Sequence, residues 1–453
     1  MVDSRKLQSD LLNPFLVQWP DWLSADCTVE IGLSGGMDSM VLLDLLWRSR
    51  ELRHFHLSAV HVHHGLSANA DEWAAHCQRW CEARGVPLRV ERVAVVLKGG
   101  DSLEAVAREA RYTVYRQSAA QVIALAHHQD DQAETVLLQL LRGGGPHALA
   151  AMPVMRRLLD KQLWRPLLRW PRAVIEDYAR SRELTWVDDE SNADTRWRRN
   201  LLRHTVFPSI APHVPQYRQQ LERSAAQMWQ AAQVLDEVAG ADLQSCLQGG
   251  RLQLLPFRAL SRPRQCLLLV YWLKSLGWGD APPAAVEGFC GQVLEAAGDR
   301  HPLLQLSGGV LFRYRDQVWA EPVTSDLQPG IQPMMPGDSG LMLPRWGGRL
   351  ELTACTKGIS GRLLQSGFEL RPRLGGERLL LAVGSKQVKT LLQEAGIPPR
   401  LRQRWPLLYL TDGRLAAVPS VAVAIDCQVG DGLWPQWLPG EGLPPGFEAK
   451  KTP

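Results

Sequence analysis

Residues Gly32-Leu33-Ser34-Gly35-Gly36-Met37-Asp38-Ser39 constrain this chain more than any other stretch, because they must turn sharply between two apolar segments. Thr28 to Leu33 reads as a short buried strand, and Met40 to Trp47 as an apolar helix. Between them, Gly35 and Gly36 permit a tight turn and let backbone N–H groups approach an oxyanion with no side chain in the way. Ser34 and Ser39 add hydroxyl donors, and the positive end of the following helix favours negative charge. The stretch therefore reads as a phosphate cradle, with an ordinary glycine-rich β–α turn opened by an N-cap serine as the alternative. It is not the usual mononucleotide loop, since no Gly-Lys-Ser/Thr follows the glycines and there is no G-x-G-x-x-G. Asp38 instead puts a carboxylate inside the cradle. Phosphate would be repelled there unless a divalent cation lay between, which implies Mg²⁺ with Asp38 as its protein ligand.

S-G-G-M-D-S resembles the pyrophosphate loop of the PP-loop ATP pyrophosphatase superfamily. That resemblance implies ATP as the nucleotide, adenylation of a substrate and release of pyrophosphate. The nucleotide contacts then fall on Ser34, Gly35, Gly36, Met37, Asp38 and Ser39, with His61 at the end of the next strand.

The pattern after the loop is strand–helix repeated. His56 to His63 alternates as a strand, and Asn69 to Arg84 is an amphipathic helix ended by Gly85-Val86-Pro87. Leu88 to Val96 is a strand, Ser102 opens a helix through Ala120, Gln121 to Ala126 is a strand and Asp131 to Leu141 a helix. Such alternation predicts an α/β domain, a parallel sheet with helices on both faces, with ligands at the carboxyl ends of the strands. Three polar segments fall on that edge: Ser34–Ser39, His61–Gly65 and His127–Glu134. In the last, Asp131 and Glu134 stand three apart at a helix start and face the same way. They suit a cationic substrate group, and equally they complement the helix dipole. His128, Asp130 and Asp131 are not at tight tetrahedral-site spacings, and Cys77 and Cys81, beside His76, lie on what reads as a buried helix face.

Two further regions follow. Pro215 to Gln248, Arg258 to Leu276 and Ala284 to Ala297 read as helices, with a hairpin-like return from Leu303 to Ala320. Pro329 to Pro344 is a Pro/Gly-rich linker, beyond which short strands flank a helix from Lys386 to Ala395. Between Arg362 and Arg404 nine basic residues face three acidic ones, and Arg400, Arg402 and Arg404 run up to Trp405. Basic groups beside an aromatic suit phosphate tracking with base stacking, and a solvated basic face is the alternative. The length of 453 residues, at 45% apolar and 22% charged, fits a folded chain of several domains, and a net charge of +4 leaves a polyanion to local basic patches. Eight scattered cysteines fit a reducing cytoplasm, the first residues lack a signal-peptide plan, and no apolar run approaches a membrane span.

A second and more specific resemblance joins these parts. H-V-H-H-G-L-S, A-R-E-A-R-Y from Ala107, A-H-H-Q-D-D-Q-A-E-T, L-L-R-G-G-G-P, and Asp189-Glu190-Ser191-Asn192 followed by R-N-L-L-R from Arg199 are similar to the blocks of the tRNA(Ile)-lysidine synthetase family. So is K-x-L-x-Q-E-x-G-I-P-P from Lys389 to Pro399. Ala148-Leu149 departs from the Gly-Leu usual in the family. The resemblance implies an adenine nucleotide α-hydrolase-like catalytic domain over 1–211, a mainly helical tRNA-binding domain over 212–325 and a small α+β tRNA-binding domain over 345–453.

Its implied reaction joins free L-lysine to C2 of the wobble cytidine in the CAU anticodon of tRNA(Ile), through an adenylated cytidine, with AMP and pyrophosphate released. Arg108 or Arg111, with Arg199, would meet charge growing on the α-phosphate. Asp131 and Glu134 would hold the lysine ammonium and help remove its proton. Asn200, Arg203, Arg400, Arg402 and Arg404 would bind substrate. The expected partners are tRNA and lysine, with no membrane, and the chain is open between monomer and homodimer. Three other readings stand beside this one: a tRNA 2-thiolation enzyme, which would need a reactive cysteine pair although no C-x-x-C occurs; an amide-forming relative with a glutaminase domain; and a non-catalytic tRNA-binding protein.

Overall fold

Thr28–Gly32 forms β1, and its interior residues Val29, Glu30 and Ile31 are all buried. A strand buried on both faces needs cover on both sides, which parallel βαβ crossovers supply. The computed structural model, which describes residues 10–96, 103–190, 194–279, 281–296, 300–323 and 328–439, provides that cover. Ser102, Ser191 and Asn192 lie outside the described residues.

After β1 come α1 (Met37–Arg53), β2 (His56–His63), α2 (Ala70–Arg84), β3 (Leu88–Arg92), α3 (Leu103–Arg116), β4 (Val122–Ala124) and α4 (Gln129–Leu141). A hairpin of β5 (Met155–Leu158) and β6 (Lys161–Trp164) and then α5 (Arg172–Ser181) complete the layer. The sheet order is β3-β2-β1-β4-β6-β5. All pairs are parallel except β5–β6. The sequence shows the parallel part, whereas the edge hairpin, eight residues in strand, carries too little periodicity to be read in advance. β3 stops at Arg92 rather than Val96, and β4 is only three residues long.

The chain winds away from β1 in one direction through β2 and β3, then returns to its other side with β4. That reversal opens a crevice at the carboxyl ends of β1 and β4, where open parallel sheets bind ligands. The turn after β1 and the turn after β4 are neighbours for this reason alone.

Helix α1 is buried almost all round, from Met40 through Leu46. Its one interior carboxylate, Asp44, accepts a hydrogen bond from Tyr178 on α5 at 2.7 Å and lies 3.6 Å from Arg182. The charge is thus satisfied where it is buried. The helix under the phosphate cradle is fixed between sheet and α5.

The chain divides into two compact units, Met1–Val234 and Leu235–Pro453. Helix α6, Tyr217–Cys246, begins in the first and ends in the second, as one helix of 30 residues. In the second unit, helices Leu254–Ala259, Arg262–Ser275 and Pro283–Glu295 pack with a five-stranded sheet that includes Gly309–Tyr314 and Gln317–Pro322. The helix expected from Arg258 is broken before Arg262, where Pro263 suits a helix start rather than an interior. Two more five-stranded sheets, one centred on Leu407–Leu410 and one on the long pair Gly348–Cys355 and Gly432–Pro439, enclose an apolar core of Leu350, Phe368, Leu370, Leu392, Leu407 and Leu408. Among the described residues no helix is long and apolar enough to cross a membrane.

Candidate active site

The cradle begins where β1 ends. Gly32 has no room for a side chain, since a Cβ there would stand 2.5 Å from the Tyr115 hydroxyl. Gly35 takes a φ of +88°, and a Cβ would lie 3.0 Å from Val187 Cγ2 and 3.2 Å from Cys77 Sγ. Its carbonyl accepts the Val187 N–H at 3.0 Å, which fastens the turn to a distant segment. The hydroxyls knit the turn from within. Ser39 Oγ accepts the Gly35 N–H at 3.2 Å and donates to the Gly36 carbonyl at 2.8 Å, while Ser34 Oγ lies 3.1 Å from Ser39 Oγ. Ser34 is exposed and Ser39 buried, and the Met37 side chain is in the core, leaving its backbone to face the cradle.

Replacing Gly35 by alanine should therefore cost about 1–2 kcal/mol of stability from the left-handed backbone alone, and displace the turn as well. We expect affinity for an ATP analogue to fall at least ~10-fold. Calorimetric titration of the variant checks this, and wild-type affinity would contradict it.

His61 is 4% exposed, and its Nδ1–H donates to the Leu33 carbonyl at 2.9 Å, so it props the loop from below. Burial pushes its pKa down, which keeps it a neutral donor.

The second side of the crevice is the start of α4. His128 caps this helix: its Nδ1 accepts the Asp131 N–H at 3.3 Å, and Asp131 Oδ2 accepts the His128 N–H at 3.0 Å. This reciprocal arrangement is a capping box with histidine in the serine position. With Nδ1 accepting, the ring hydrogen sits on Nε2, which lies 3.6 Å from Asp38 Oδ2 and 3.5 Å from Asp131 Oδ2. Burial disfavours the charged imidazole, but Asp131 and Asp38 outweigh it and raise its pKa. Burial also opposes ionisation of Asp38, where His128, Arg172 and Arg203 prevail and keep the carboxyl below its ordinary range.

Asp131 and Glu134 face one way, as their spacing predicts, and between them they hold Arg203. Its Nη2 donates to Asp131 Oδ1 at 3.1 Å and its Nε to Glu134 Oε1 at 2.8 Å. Arg203 stands on a π-helical turn, Leu202–Val206, just before Pro208, whose missing N–H loosens the ladder there. Glu134 is 1% exposed, and its Oε2 is buried without a hydrogen-bond partner. Burial and then Asp131 push the Glu134 carboxyl up.

Asp38 Oδ1 is likewise buried without a hydrogen bond, its nearest cation being Arg172 Nε at 4.0 Å. An orphaned carboxylate oxygen in a phosphate cradle is a fitting ligand for Mg²⁺, which prefers hard oxygen donors and keeps phosphate and water as its other ligands.

Of the arginines, Arg108 donates to the Tyr112 hydroxyl at 3.2 Å with its guanidinium over that ring. Arg199 lies 3.8 Å from Glu104. Burial chiefly, with Arg165, Arg108 and Arg199 adding to it, disfavours the charged form of His127, and Arg199 also acts on Glu134. Arg111 instead acts electrostatically on His64 and Tyr115. Asn200 is buried, with its amide donating to the Asp194 carbonyl at 2.9 Å.

Several pairings in this site carry no signal in the sequence. Arg165 is 1% exposed, its pKa pushed down by burial to about 10, and it donates to His127 Nδ1 at 3.2 Å. Asp130 accepts the Arg172 N–H at 2.9 Å, capping α5, and pairs with Arg218 on α6 at 2.5 Å. Gln129 donates to Glu222, also on α6, at 2.6 Å. Only the fold brings these partners together.

In the second unit, Arg400 donates to Glu321 at 2.8 Å, Arg404 pairs with the same carboxylate, and Arg402 donates to the Tyr314 hydroxyl at 2.9 Å. Trp405 corrects the expectation of a stacking platform. It is 2% exposed and its indole N–H donates to the Pro419 carbonyl at 2.9 Å, because the short helix Pro399–Arg402 turns Leu401 and Trp405 into the core.

The cradle, its internal carboxylate and the switch-point crevice define a PP-loop ATP-binding enzyme, and the PP-loop domain family matches residues 6–210. Residues 252–319 match the TilS substrate binding domain and 368–435 the TilS substrate C-terminal domain. The tRNA(Ile)-lysidine synthase of Chromobacterium violaceum is 50% identical over 432 residues, spanning 95% of this chain and 99% of that one. Those of Ralstonia nicotianae and Pseudomonas aeruginosa are 40% and 41% identical, over 92% and 85% of this chain and 93% and 88% of theirs. The chain belongs to the tRNA(Ile)-lysidine synthase family of ATP-dependent ligases.

Proposed function

We propose that this enzyme ligates L-lysine to C2 of the wobble cytidine in the CAU anticodon of tRNA(Ile), in two steps sharing one crevice. The observation that carries the reading is the meeting of two charge systems at the β1/β4 switch point: a phosphate cradle containing Asp38, and a buried carboxylate pair, Asp131 and Glu134, that already holds a cation.

In the first step the C2 oxygen attacks the α-phosphorus of ATP, a new P–O bond forms, and the bond to the β-phosphate breaks. Backbone N–H groups of Gly35 and Gly36 and the hydroxyls of Ser34 and Ser39, exchanging the bonds they make within the turn, receive the departing pyrophosphate. Mg²⁺ held by Asp38 would offset the charge of that leaving group. Arg108 or Arg111, with Arg199, would meet the charge growing on the α-phosphate.

In the second step the lysine amine attacks C2, the C2–O bond breaks, and AMP leaves. The attacking amine must lose a proton. Glu134, made more basic by burial and by Asp131, is suited to accept it. The guanidinium of Arg203 occupies the position assigned to the substrate ammonium, so lysine entry requires Arg203 to yield one or both carboxylates. The wobble base must be unstacked to reach this crevice, as single-stranded RNA recognition generally requires.

Residues 212–325 and 345–453 would hold the tRNA while residues 1–211 do the chemistry, two grips on one ligand raising its effective concentration. A thiolation chemistry fits less well. Cys77 and Cys81 are buried, with thiols pushed up by burial to about 12 and about 11, which leaves little thiolate to react. We place the protein in the cytoplasm, where its eight unbridged cysteines stay reduced.

The test is incubation of labelled lysine with ATP and bulk tRNA. Label should become tRNA-bound only with ATP present, and pyrophosphate exchange should require tRNA but not lysine. Label that stays in the free amino acid would sink the assignment.

A further inference from the structure

His128 stands between two carboxylates that come from different elements and serve different steps. Asp38 belongs to α1 and the cradle. Asp131 belongs to α4 and the lysine side. The imidazole is 1% exposed, and its Nε2 lies 3.6 Å from one carboxylate and 3.5 Å from the other. The other cation beside Asp38, Arg172, stands farther off, its Nε 4.0 Å from Asp38 Oδ1. Asp131 Oδ2 is fixed by the His128 N–H, and Asp131 Oδ1 by Arg203, so the Asp131 carboxylate is held on both oxygens. Asp38 has no such tether, and its Oδ1 is an orphan. Without a donor between them, two like charges would face each other across a low-dielectric crevice, and the untethered one would move.

Resting on the function proposed above, we propose that His128 is a positioning residue that, through its Nε2–H, holds Asp38 in register with Asp131 and so orients the cradle carboxylate for Mg²⁺·ATP. Its two ring nitrogens do separate jobs: Nδ1 caps α4, and Nε2 spans the crevice. The bridge joins the element that receives the nucleotide to the one that receives the amino acid. The nearby Asp130, 4.0 Å from Nδ1, is already engaged by the Arg172 N–H and by Arg218, and so does not compete for the Nε2 hydrogen.

The two jobs can be separated by substitution. Asparagine is a strong N-cap, so His128→Asn keeps the acceptor for the Asp131 N–H but is too short to reach Asp38. Glutamine extends an amide N–H to about the Nε2 position, so His128→Gln keeps the bridge. The measurement is thermal stabilisation of the full chain by Mg²⁺ with a non-hydrolysable ATP analogue, which needs no turnover. In His128→Asn the Mg²⁺ concentration for half-maximal stabilisation should rise at least ~10-fold, each variant being read against its own ligand-free melting temperature. His128→Gln should recover most of the loss, and tRNA-dependent pyrophosphate exchange should follow the same order. Wild-type Mg²⁺ dependence in His128→Asn, or equal impairment of both variants, would reduce His128 to a helix cap and overturn the proposal. Should the wild-type protein bind Mg²⁺·ATP yet never transfer lysine, the function fails while the role of His128 stands.

Discussion

Glu134→Gln is expected to separate the two half-reactions: tRNA-dependent pyrophosphate exchange stays within a few-fold of wild type, while lysine transfer collapses. The substitution keeps the side chain's shape and removes its charge. Charge-assisted hydrogen bonds contribute roughly 1.5–3 kcal/mol each, so the KM for lysine should rise about 10- to 150-fold from weaker ammonium binding alone. Loss of the proton acceptor adds a further ~100-fold in kcat. Adenylated tRNA should accumulate and be recoverable from the reaction. Asp131→Ala is the harsher change, because Asp131 also completes the α4 cap and pairs with Arg203. It should affect both half-reactions. A Glu134→Gln enzyme with normal lysine kinetics would remove the carboxylate pair from the mechanism.

The second large effect is expected at Asp38. Asp38→Asn retains volume and a hydrogen-bond acceptor for His128 but no longer balances Mg²⁺ against the phosphates. Preorganised electrostatic groups of this kind are worth about 100- to 1,000-fold in kcat when removed singly, and we expect a loss of that size in pyrophosphate exchange. Titrating Mg²⁺ provides the check. The deficit should persist at saturating Mg²⁺, since the defect lies in where the ion is held as well as in how tightly. Full recovery at high Mg²⁺ would mean that Asp38 contributes affinity alone.

Much of this site is visible in the sequence because its parts are local. A glycine pair between a buried strand and an apolar helix can do little except turn. Asp131 and Glu134, three apart at a helix start, must share a face. Alternating strands and helices then set both segments on one sheet edge. What is not visible depends on partners far apart in the chain. Nothing near Arg203 announces that it reaches back to Glu134, and nothing near Arg218 announces Asp130. His128 looks like one histidine in a polar run, and only the crevice reveals Asp38 opposite its Nε2. The same limit explains Trp405. Arginines around an aromatic make the same string whether the ring faces solvent or the core, and here the single helical turn Pro399–Arg402 places it inside.

The serines of the glycine turn have a consequence for nucleotide binding. Ser39 and Ser34 satisfy one another and the backbone within the turn before any ligand arrives, and the turn rests on a helix with no freedom to shift. Its conformational entropy is therefore surrendered when the protein folds, and ATP binding trades hydrogen bonds within the turn for bonds to phosphate while ordering little new backbone. Discrimination among nucleotides then falls to contacts beyond the diphosphate, because a receptor so preorganised greets the tail of any of them equally well.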